Sequence, residues 1–337
     1  MSKKPLLSVI IPVYNTGDIV SRIINRVLKQ KMRDLELILV NDGSTDSSLG
    51  VLKKFAKQDK RVRVINQPNS GSPSGGRNSG LKNAKGKLIL LLDSDDDIDP
   101  RMIPAMIARQ QSTNADLVTC AIKEVYPDGK IFIPNIIDRS IDADKQDVVI
   151  FALDSLGKES SVIYNPCNRL FKNEIIRKNN LKYRMDLRFG EDLGFNLEYL
   201  QYVKRIEVMS QTFYVYYFGS PTSVFSKSAL DYKYRKENRN FLWKFAKTSS
   251  DPAAHNHAVW VQVRWFLSYC KIVCLSQLDD KEKVHRISYA CKHERFKKIL
   301  GKNNLGTKRL LIIKITYFLV KRPRTLYYLI HFASKFF

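Results

Sequence analysis

The 337-residue sequence contains few cysteines and no long apolar run. Its cysteines are odd in number and scattered along the chain: Cys120, Cys167, Cys270, Cys274 and Cys291. Such a set excludes a secreted disulfide framework and suits reduced thiols, so we expect a cytoplasmic protein. No apolar stretch reaches about 18 residues, and strand-like sequence begins at Leu6. We therefore expect neither a spanning helix nor a signal peptide.

Acidic residues are missing from the end of the chain, where none follows Glu294. The formal net charge of the whole chain is +24. Residues 281–337 carry fifteen Lys and Arg against two Glu, and so hold +13 of that total. This asymmetry predicts an anionic partner for the C-terminal region.

The first 120 residues alternate between strand and helix patterns. The predicted strands are Leu6–Ile11, Leu35–Val40, Val62–Ile65, Leu88–Leu92 and Leu117–Ala121, and the predicted helices are Ile19–Gln30, Leu49–Lys57, Arg77–Ala84 and Met102–Ser112. This alternation predicts an α/β fold with a mainly parallel sheet. Tyr214–Phe218 is the last predicted strand, and the sequence is typical of helices from about Ser226. We predict two domains, residues 1–225 and 226–337.

The most informative segment is an apolar run that is followed directly by acidic residues. It is Leu-Ile-Leu-Leu-Leu-Asp-Ser-Asp-Asp at 88–96. The run predicts a buried parallel strand, and ligands of open α/β sheets bind outside the carboxyl ends of such strands. Clustered carboxylates favour a divalent metal that carries a phosphorylated ligand. The alternative is a solvated turn before a helix, with Asp99-Pro100 as its cap. That alternative accounts for Asp99 but leaves Asp93 and Asp95 unexplained.

Several motifs stand in a fixed order along the chain. They are Ser-Val-Ile-Ile-Pro-Val-Tyr-Asn at 8–15, Glu-Leu-Ile-Leu-Val-Asn-Asp-Gly-Ser-Thr-Asp at 36–46, Gly-Gly-Arg-Asn-Ser-Gly-Leu at 75–81, Leu-Leu-Asp-Ser-Asp-Asp at 91–96, Asn-Arg-Leu-Phe-Lys-Asn-Glu-Ile-Ile at 168–176 and Phe-Gly-Glu-Asp-Leu-Gly-Phe-Asn at 189–196. In these motifs the chain resembles family 2 glycosyltransferases of the GT-A fold. The resemblance extends over residues 6–225 and implies a bacterial surface-polysaccharide enzyme.

The first two motifs carry candidate nucleotide-binding residues. Tyr14, close after Pro12, could stack on a nucleobase, or it could be an aromatic residue that covers the core. Asp42 could accept the imide N–H of a uracil, which favours a UDP-sugar, or it could start an Asx turn before Gly43.

Arg77 and the acids after the fourth strand are the candidates for the phosphate side of the site. Arg77 could meet the diphosphate, hold an acidic side chain, or be a plain exposed helix residue. The resemblance implies that Asp93 and Asp95 form the family's Asp-x-Asp motif. Asp95 would contact Mn²⁺ or Mg²⁺, and Asp93 would contact the ribose or the metal.

Glu191 and Asp192 match the Glu-Asp pair of the family, in which the aspartate is the catalytic base. Inverting transfer needs one base that takes the proton of the acceptor hydroxyl. The alternative is a pair of first-turn acids that complement a helix dipole. In the first interpretation Glu191 contacts the acceptor or orients a neighbour. Many relatives supply a His or Arg to the metal in a later Tyr-rich strand, but residues 214–223 contain neither, so the third ligand stays open.

The basic C-terminal region holds two apolar, aromatic segments, 310–320 and 325–332, separated by Lys-Arg-Pro-Arg. Such segments suit the surface of an anionic cytoplasmic leaflet. The alternatives are an ordinary helical subdomain, a homo-oligomer contact, or binding of a polyanionic acceptor such as a teichoic-acid-like polymer. We do not expect a nucleic-acid partner, because the region has no recognisable module.

Together these features predict a metal-dependent inverting glycosyltransferase, peripheral at the inner face of the cell membrane. It would move a sugar from a nucleotide donor to a hydroxyl of a cell-surface polysaccharide or lipid-linked glycan. One alternative is a nucleotidyltransferase, although the loop at 12–17 lacks the Gly-rich, basic character that such enzymes need. The other is a non-catalytic protein that binds a membrane or a polyanion.

Overall fold

The computed structural model describes residues 4–30, 32–142, 145–157, 163–187, 190–218, 230–298 and 305–333. The chain forms two compact units, one of residues 1–148 and 162–224, the other of residues 149–161 and 225–337. The domain boundary at 225/226 stays a prediction. The prediction placed residues 149–161 in the first domain, whereas in the structure these residues group with the second unit. There Asp154 pairs with Arg309 at 3.2 Å, and the Trp260 indole N–H donates to the Gly157 carbonyl at 3.2 Å.

The first unit contains a ten-stranded sheet. Its strands are β1 (Leu7–Val13), β2 (Leu35–Asp42), β3 (Val62–Gln67), β4 (Leu88–Leu91), β5 (Asp97–Ile98), β6 (Leu117–Val125), β7 (Ile131–Phe132), β8 (Arg139–Ile141), β9 (Arg169–Lys172) and β10 (Ile206–Tyr217). The main order is β3-β2-β1-β4-β9-β6-β10-β5, with β7 on β6 and β8 on β10. Strands β3, β2, β1 and β4 are parallel, as are β6 and β10, so the α/β, mainly parallel fold is confirmed.

The helices of this part of the chain are α1 (Val20–Leu28), α2 (Ser48–Gln58), α3 (Pro73–Asn83), α4 (Met102–Thr113), α5 (Lys145–Leu156), α6 (Asn173–Lys178) and α7 (Glu191–Leu200), with a 3₁₀ turn at Gly17–Ile19. One predicted start was wrong. Helix α3 begins at Pro73 rather than Arg77, because Ser72 caps it by accepting from Ser74 N. Helix α4 begins at Met102, as predicted, but Asp99 is not its cap residue, because the Asp99 carboxylate closes the preceding turn by accepting from Arg101 N at 2.8 Å.

Helix α3 packs unusually close to the sheet. A Cβ at Gly80 would lie 2.2 Å from Ile10, and one at Gly76 would lie 2.8 Å from the Pro12 ring. Real Cβ atoms do not approach that closely, so only glycine allows this distance between helix and strand. The two glycines therefore fix where the next side chain of the helix, Arg77, meets the sheet edge.

The second unit is helical in its described part beyond residue 229. It contains α8 (Tyr232–Ala246), α9 (Pro252–Leu275), α10 (Asp280–His293), α11 (Thr307–Leu319) and α12 (Pro323–Ala333). Its core includes Phe266, Tyr269, Ile287 and Leu326.

Among the described residues, α9 alone is long and apolar enough to cross a membrane by length and composition. No such segment was predicted from the sequence, because polar residues interrupt the apolar residues of this helix. Of its most apolar stretch 61% is buried inside the protein, as in the core helix of a globular unit.

Candidate active site

One arginine and three carboxylates meet at the carboxyl edge of the sheet. Arg77 Nη2 donates to Asp93 Oδ1 at 2.8 Å, just beyond the end of β4. Its Nη1 atom lies 3.1 Å from Asp192 Oδ1 and 3.5 Å from Glu191 Oε1, in the first turn of α7. The Arg77 side chain is only 5% exposed, whereas those of Asp93 and Asp192 are 27% and 29% exposed. The cation is therefore enclosed, while Asp93 and Asp192 remain accessible from solvent.

Segment 183–187, which leads towards α7, is tied to α3 by side-chain hydrogen bonds. Asn78 Nδ2 donates to the Tyr183 carbonyl and Asn78 Oδ1 accepts from Tyr183 N, both at 2.8 Å. Ser74 Oγ donates to the Arg184 carbonyl at 3.0 Å, and Ser72 Oγ donates to the Leu187 carbonyl at 3.3 Å. The Tyr183 ring also lies beneath the Arg77 guanidinium, 5.4 Å from it. Helix α3 thus positions both Arg77 and the chain that carries Glu191 and Asp192.

The protonation of these acids is set by burial and by their neighbours. Burial, with smaller contributions from Glu191 and Asp93, raises the pKa of Asp192 to about 8 against the opposing effects of Arg77 and Arg169. Burial also raises the pKa of Glu191. Burial lowers the pKa of Arg77, but Asp192 and Asp93 outweigh this and the net shift is upward. Arg77 therefore stays cationic, and Asp192 can exchange a proton near neutral pH.

The predicted nucleobase side of the site lies on loops that are tied together. Tyr14, directly after β1, is 48% exposed, so the interpretation that it covers the core was wrong. Asn15 holds the loop, since its N–H donates to Ser44 Oγ at 3.1 Å and its Oδ1 accepts from Thr45 N at 2.8 Å. Pro12 is half-buried beside Gly76. An exposed ring on a fixed loop is suited to stacking.

Asp42 is buried at the end of β2 and binds the loop after β3. Its carboxylate accepts from Ser70 Oγ at 2.6 Å, from Ser70 N at 3.2 Å and from Gln67 Nε2 at 2.5 Å. These partners differ from the Asx turn before Gly43 that we had left open. The role of Asp42 as an acceptor for a base stays a prediction.

The acid cluster after β4 divides into two pairs. Asp96 accepts from Tyr214 OH at 2.5 Å and from Tyr217 N at 3.1 Å, and Asp97 accepts from Arg26 Nε at 2.9 Å. Burial raises the pKa of Asp96 well above its usual range. These two acids thus hold β10 and α1, while Asp93 and Asp95 are half-buried and so remain partly exposed to solvent.

The carboxylates of Asp93 and Asp95 fit a hard divalent cation in their chemistry. No group of three or more His, Cys, Asp or Glu arranged to hold a metal occurs within the described ranges. A Mn²⁺ or Mg²⁺ ion bound by Asp93 and Asp95 would take its remaining oxygen ligands from phosphate and water, as Mg²⁺ usually does. The stretch Gly219–Ser223, part of the region in which we sought a third ligand, lies outside the described residues.

Four buried groups near the cluster were missed by the sequence reasoning. They are Asp96, Cys167, Arg169 and Tyr183. Burial lowers the pKa of Arg169 to about 9 and raises that of Cys167. The sequence signals were that Asp96 closes the fourth motif and that Arg169 lies in the fifth. Arg77 itself is 4% exposed, so the interpretation as an exposed helix residue was wrong.

The fold and the site define the chain as a glycosyltransferase of the α/β, GT-A type. It belongs to glycosyl transferase family 2, whose family model matches residues 8–179. The uncharacterized glycosyltransferase EpsJ of Bacillus subtilis is 30% identical over 237 residues, which cover 69% of this chain and 67% of EpsJ. The poly(ribitol-phosphate) beta-N-acetylglucosaminyltransferase TarP of Staphylococcus aureus is 31% identical, over 63% of this chain and 62% of TarP. These relatives agree with the bacterial surface-polysaccharide type.

Solved structures share the fold at lower identity. S. aureus TarS residues 1–349, in complex with UDP, superposes with a TM-score of 0.69 at 18% identity and covers 98% of this chain and 91% of that one. The mannosyltransferase PcManGT of Pyrobaculum calidifontis, in complex with GDP-Man and Mn²⁺, has a TM-score of 0.55 at 12% identity, with coverages of 99% and 87%. Members of this fold thus bind nucleotides, and one of them is seen with a divalent metal.

Proposed function

We propose that this protein transfers a sugar, with inversion, from a UDP-sugar to a hydroxyl of a cell-surface polysaccharide or lipid-linked glycan. The observation that carries the proposal is the arrangement around Arg77. This one buried cation joins an acid of the nucleotide edge, Asp93, to the acid pair of α7, Glu191 and Asp192. The donor and acceptor sides of a transfer reaction are thereby held at a fixed separation.

Asp192 is the general base of the proposed reaction. One of its oxygens faces Arg77, and the side chain as a whole remains 29% exposed. The carboxylate removes the proton of the acceptor hydroxyl as that oxygen attacks the anomeric carbon. The bond from the anomeric carbon to the diphosphate breaks at the same time, and the nucleoside diphosphate leaves. A pKa near 8 makes the carboxylate a stronger base than an ordinary aspartate, and Glu191 orients Arg77 or contacts the acceptor.

The donor is bound at the strand ends. Tyr14 stacks on the base, and Pro12 and Asp42 line the same edge of the sheet. Asp93 and Asp95 would hold a Mn²⁺ or Mg²⁺ ion, which supplies positive charge to the departing diphosphate. Support for a uridine donor comes from TarS, which was solved with UDP, and the names of TarP and related enzymes make an anionic glycopolymer a reasonable acceptor.

Calorimetric titration with UDP tests the donor half of the proposal. We expect binding that requires Mn²⁺, disappears with EDTA and exceeds that of GDP and CDP. Asp95→Asn should weaken metal-dependent binding, whereas Asp97→Asn, an acid of the same cluster that pairs with Arg26, should retain it. Binding of no nucleotide under any condition would contradict the enzyme assignment. Equal binding with EDTA would contradict the metal site alone.

A further inference from the structure

Helix α11 exposes a stripe of large apolar side chains. Leu311, Ile315 and Phe318 are 57%, 47% and 57% exposed, and their i, i+4, i+7 spacing puts them on one face of the helix. The opposite face is used for packing, since Ile313 and Thr316 are buried. An apolar face directed at solvent is the reverse of what a surface helix of a soluble unit normally presents.

Helix α12 has the same character. Tyr328, Leu329 and Phe332 are 64%, 53% and 65% exposed, while Leu326 and Tyr327 enter the core of the second unit. We define the docking face as these six exposed apolar residues of α11 and α12. Only three residues, 320–322, connect the two helices that carry it.

Every charged side chain of residues 307–333 is cationic. Five of these cations are exposed: Lys308, Lys314, Lys321, Arg322 and Arg324. Lys308 and Lys314 flank the apolar stripe of α11 on its two sides, given their helical spacing from Leu311. The Arg322 guanidinium lies over the Phe318 ring, 3.8 Å from its centroid. Cations thus border the apolar side chains directly.

We propose that the docking face binds the surface of an anionic lipid membrane. The apolar side chains enter the boundary between headgroups and acyl chains, and the flanking Lys and Arg contact anionic headgroups. A second copy of the chain does not fit, because it would bring two uniformly cationic surfaces together. A soluble polyanion would use the cations but would leave six large apolar side chains in water. Docking of this kind places the enzyme at the cytoplasmic leaflet.

Vesicle flotation of the purified full-length protein, without sugar donor, tests this surface. Vesicles are made of phosphatidylcholine alone or with phosphatidylglycerol. We expect flotation with the anionic vesicles only, weakened by high salt. Leu311→Ser/Phe318→Ser and Lys314→Glu/Lys321→Glu should each reduce vesicle affinity about tenfold or more.

Matched controls separate the docking face from general surface properties. Ile19→Ser/Ile137→Ser removes two exposed apolar residues of the first unit, and Lys53→Glu/Lys57→Glu makes the same charge change on α2. Both should bind vesicles as the unchanged protein does, and all four variants should keep UDP binding if they are folded. Failure to float would overturn the proposal. Full vesicle binding by Leu311→Ser/Phe318→Ser would also overturn it, because the surface would then bind anions by charge alone. None of these outcomes depends on whether sugar transfer occurs.

Discussion

Each unit of the molecule contains a buried cluster of arginine and carboxylate, and the two clusters differ in balance. In the second unit Glu294 lies 3.1 Å from Arg239 and also accepts from Tyr232 OH and Gln262 Nε2. One carboxylate there has three donors, and its side chain is 7% exposed. In the first unit one cation, Arg77, faces three carboxylates, two of them more than a quarter exposed.

The perturbed pKa does not distinguish the two clusters. Burial raises the pKa of both Asp192 and Glu294 to about 8. What differs is the supply of donors and the access of solvent. The Glu294 cluster has its hydrogen-bond partners within the protein, which is typical of a structural network. The Asp192 cluster sets three carboxylates against Arg77 and leaves two of them partly exposed, which is typical of a site that receives a ligand.

The two clusters should differ most in sugar transfer when the charge of Asp192 or of Glu294 is removed. Asp192→Asn should lower sugar transfer about 10²–10⁴-fold, the usual contribution of a general base, with donor binding retained. Glu294→Gln, the matched change in the other cluster, should leave turnover within about twofold. Release of UDP from a UDP-sugar in the presence of acceptor measures both. Near-normal turnover by Asp192→Asn would remove Asp192 from the role of base.

Removal of the cation tests the first cluster as a structural unit. Arg77→Met leaves three carboxylates without their partner and should destabilise the first unit by about 3–5 kcal/mol. Arg77→Lys keeps the positive charge but loses the planar guanidinium that contacts several carboxylates at once. It should therefore destabilise the first unit less than Arg77→Met does. Thermal unfolding, with the two units' transitions followed separately, provides the measurement. Unchanged stability in Arg77→Met would mean that the carboxylates do not depend on this cation.

The corresponding change in the second cluster should affect stability alone. Glu294→Ala removes the acceptor of Arg239, Tyr232 and Gln262 and should cost about 1–3 kcal/mol through unsatisfied buried donors. UDP affinity should not change. The same unfolding experiment and the UDP titration check both parts. A loss of UDP binding in a folded Glu294→Ala protein would contradict the division into a functional and a structural cluster.

The smallest effect concerns pH. The groups that face Asp192 are Arg77 and Arg169, which favour its ionised form, and Glu191 and Asp93, which oppose it together with burial. With a pKa raised to about 8, the proposed base is increasingly protonated as the pH falls below that value. Lowering the pH from 8 to 7 should therefore reduce kcat/KM about fivefold. An acid limb near the ordinary aspartate range would show that Arg77 outweighs the burial.

The sequence predicted the fold best where the residues of a single strand were enough to identify that strand. The apolar runs of β1, β2 and β4 predicted their strands, since buried parallel strands are apolar throughout. Strand β9 was missed, because its four residues include only Leu170 and Phe171 as apolar positions. It enters the sheet antiparallel between β4 and β6, a placement that depends on pairing partners far away in the chain.

The site could be predicted in part for the same reason. Residues that follow strands directly, such as Tyr14 and Asp93, were found because parallel strands align their carboxyl ends. The partners of Asp96 could not be predicted from the sequence, since Tyr214 is 118 residues away along the chain. The Gly-Gly pair before Arg77 was left outside the predicted helix, whereas the structure places both glycines in the first turn of α3, where Gly76 packs on Pro12.

The hydrogen bonds between α3 and segment 183–187 have a consequence for synthesis on the ribosome. Asn78 and Tyr183 are 105 residues apart, and Ser72 and Leu187 are 115 apart. The four parallel strands can therefore leave the exit tunnel and pair while the partners of α3 are still untranslated. Closing such long loops comes late and slowly in folding. A nascent chain would thus form the strand ends that carry Tyr14 and Asp93 before Asp192 is in place, so the proposed donor side would precede the proposed base.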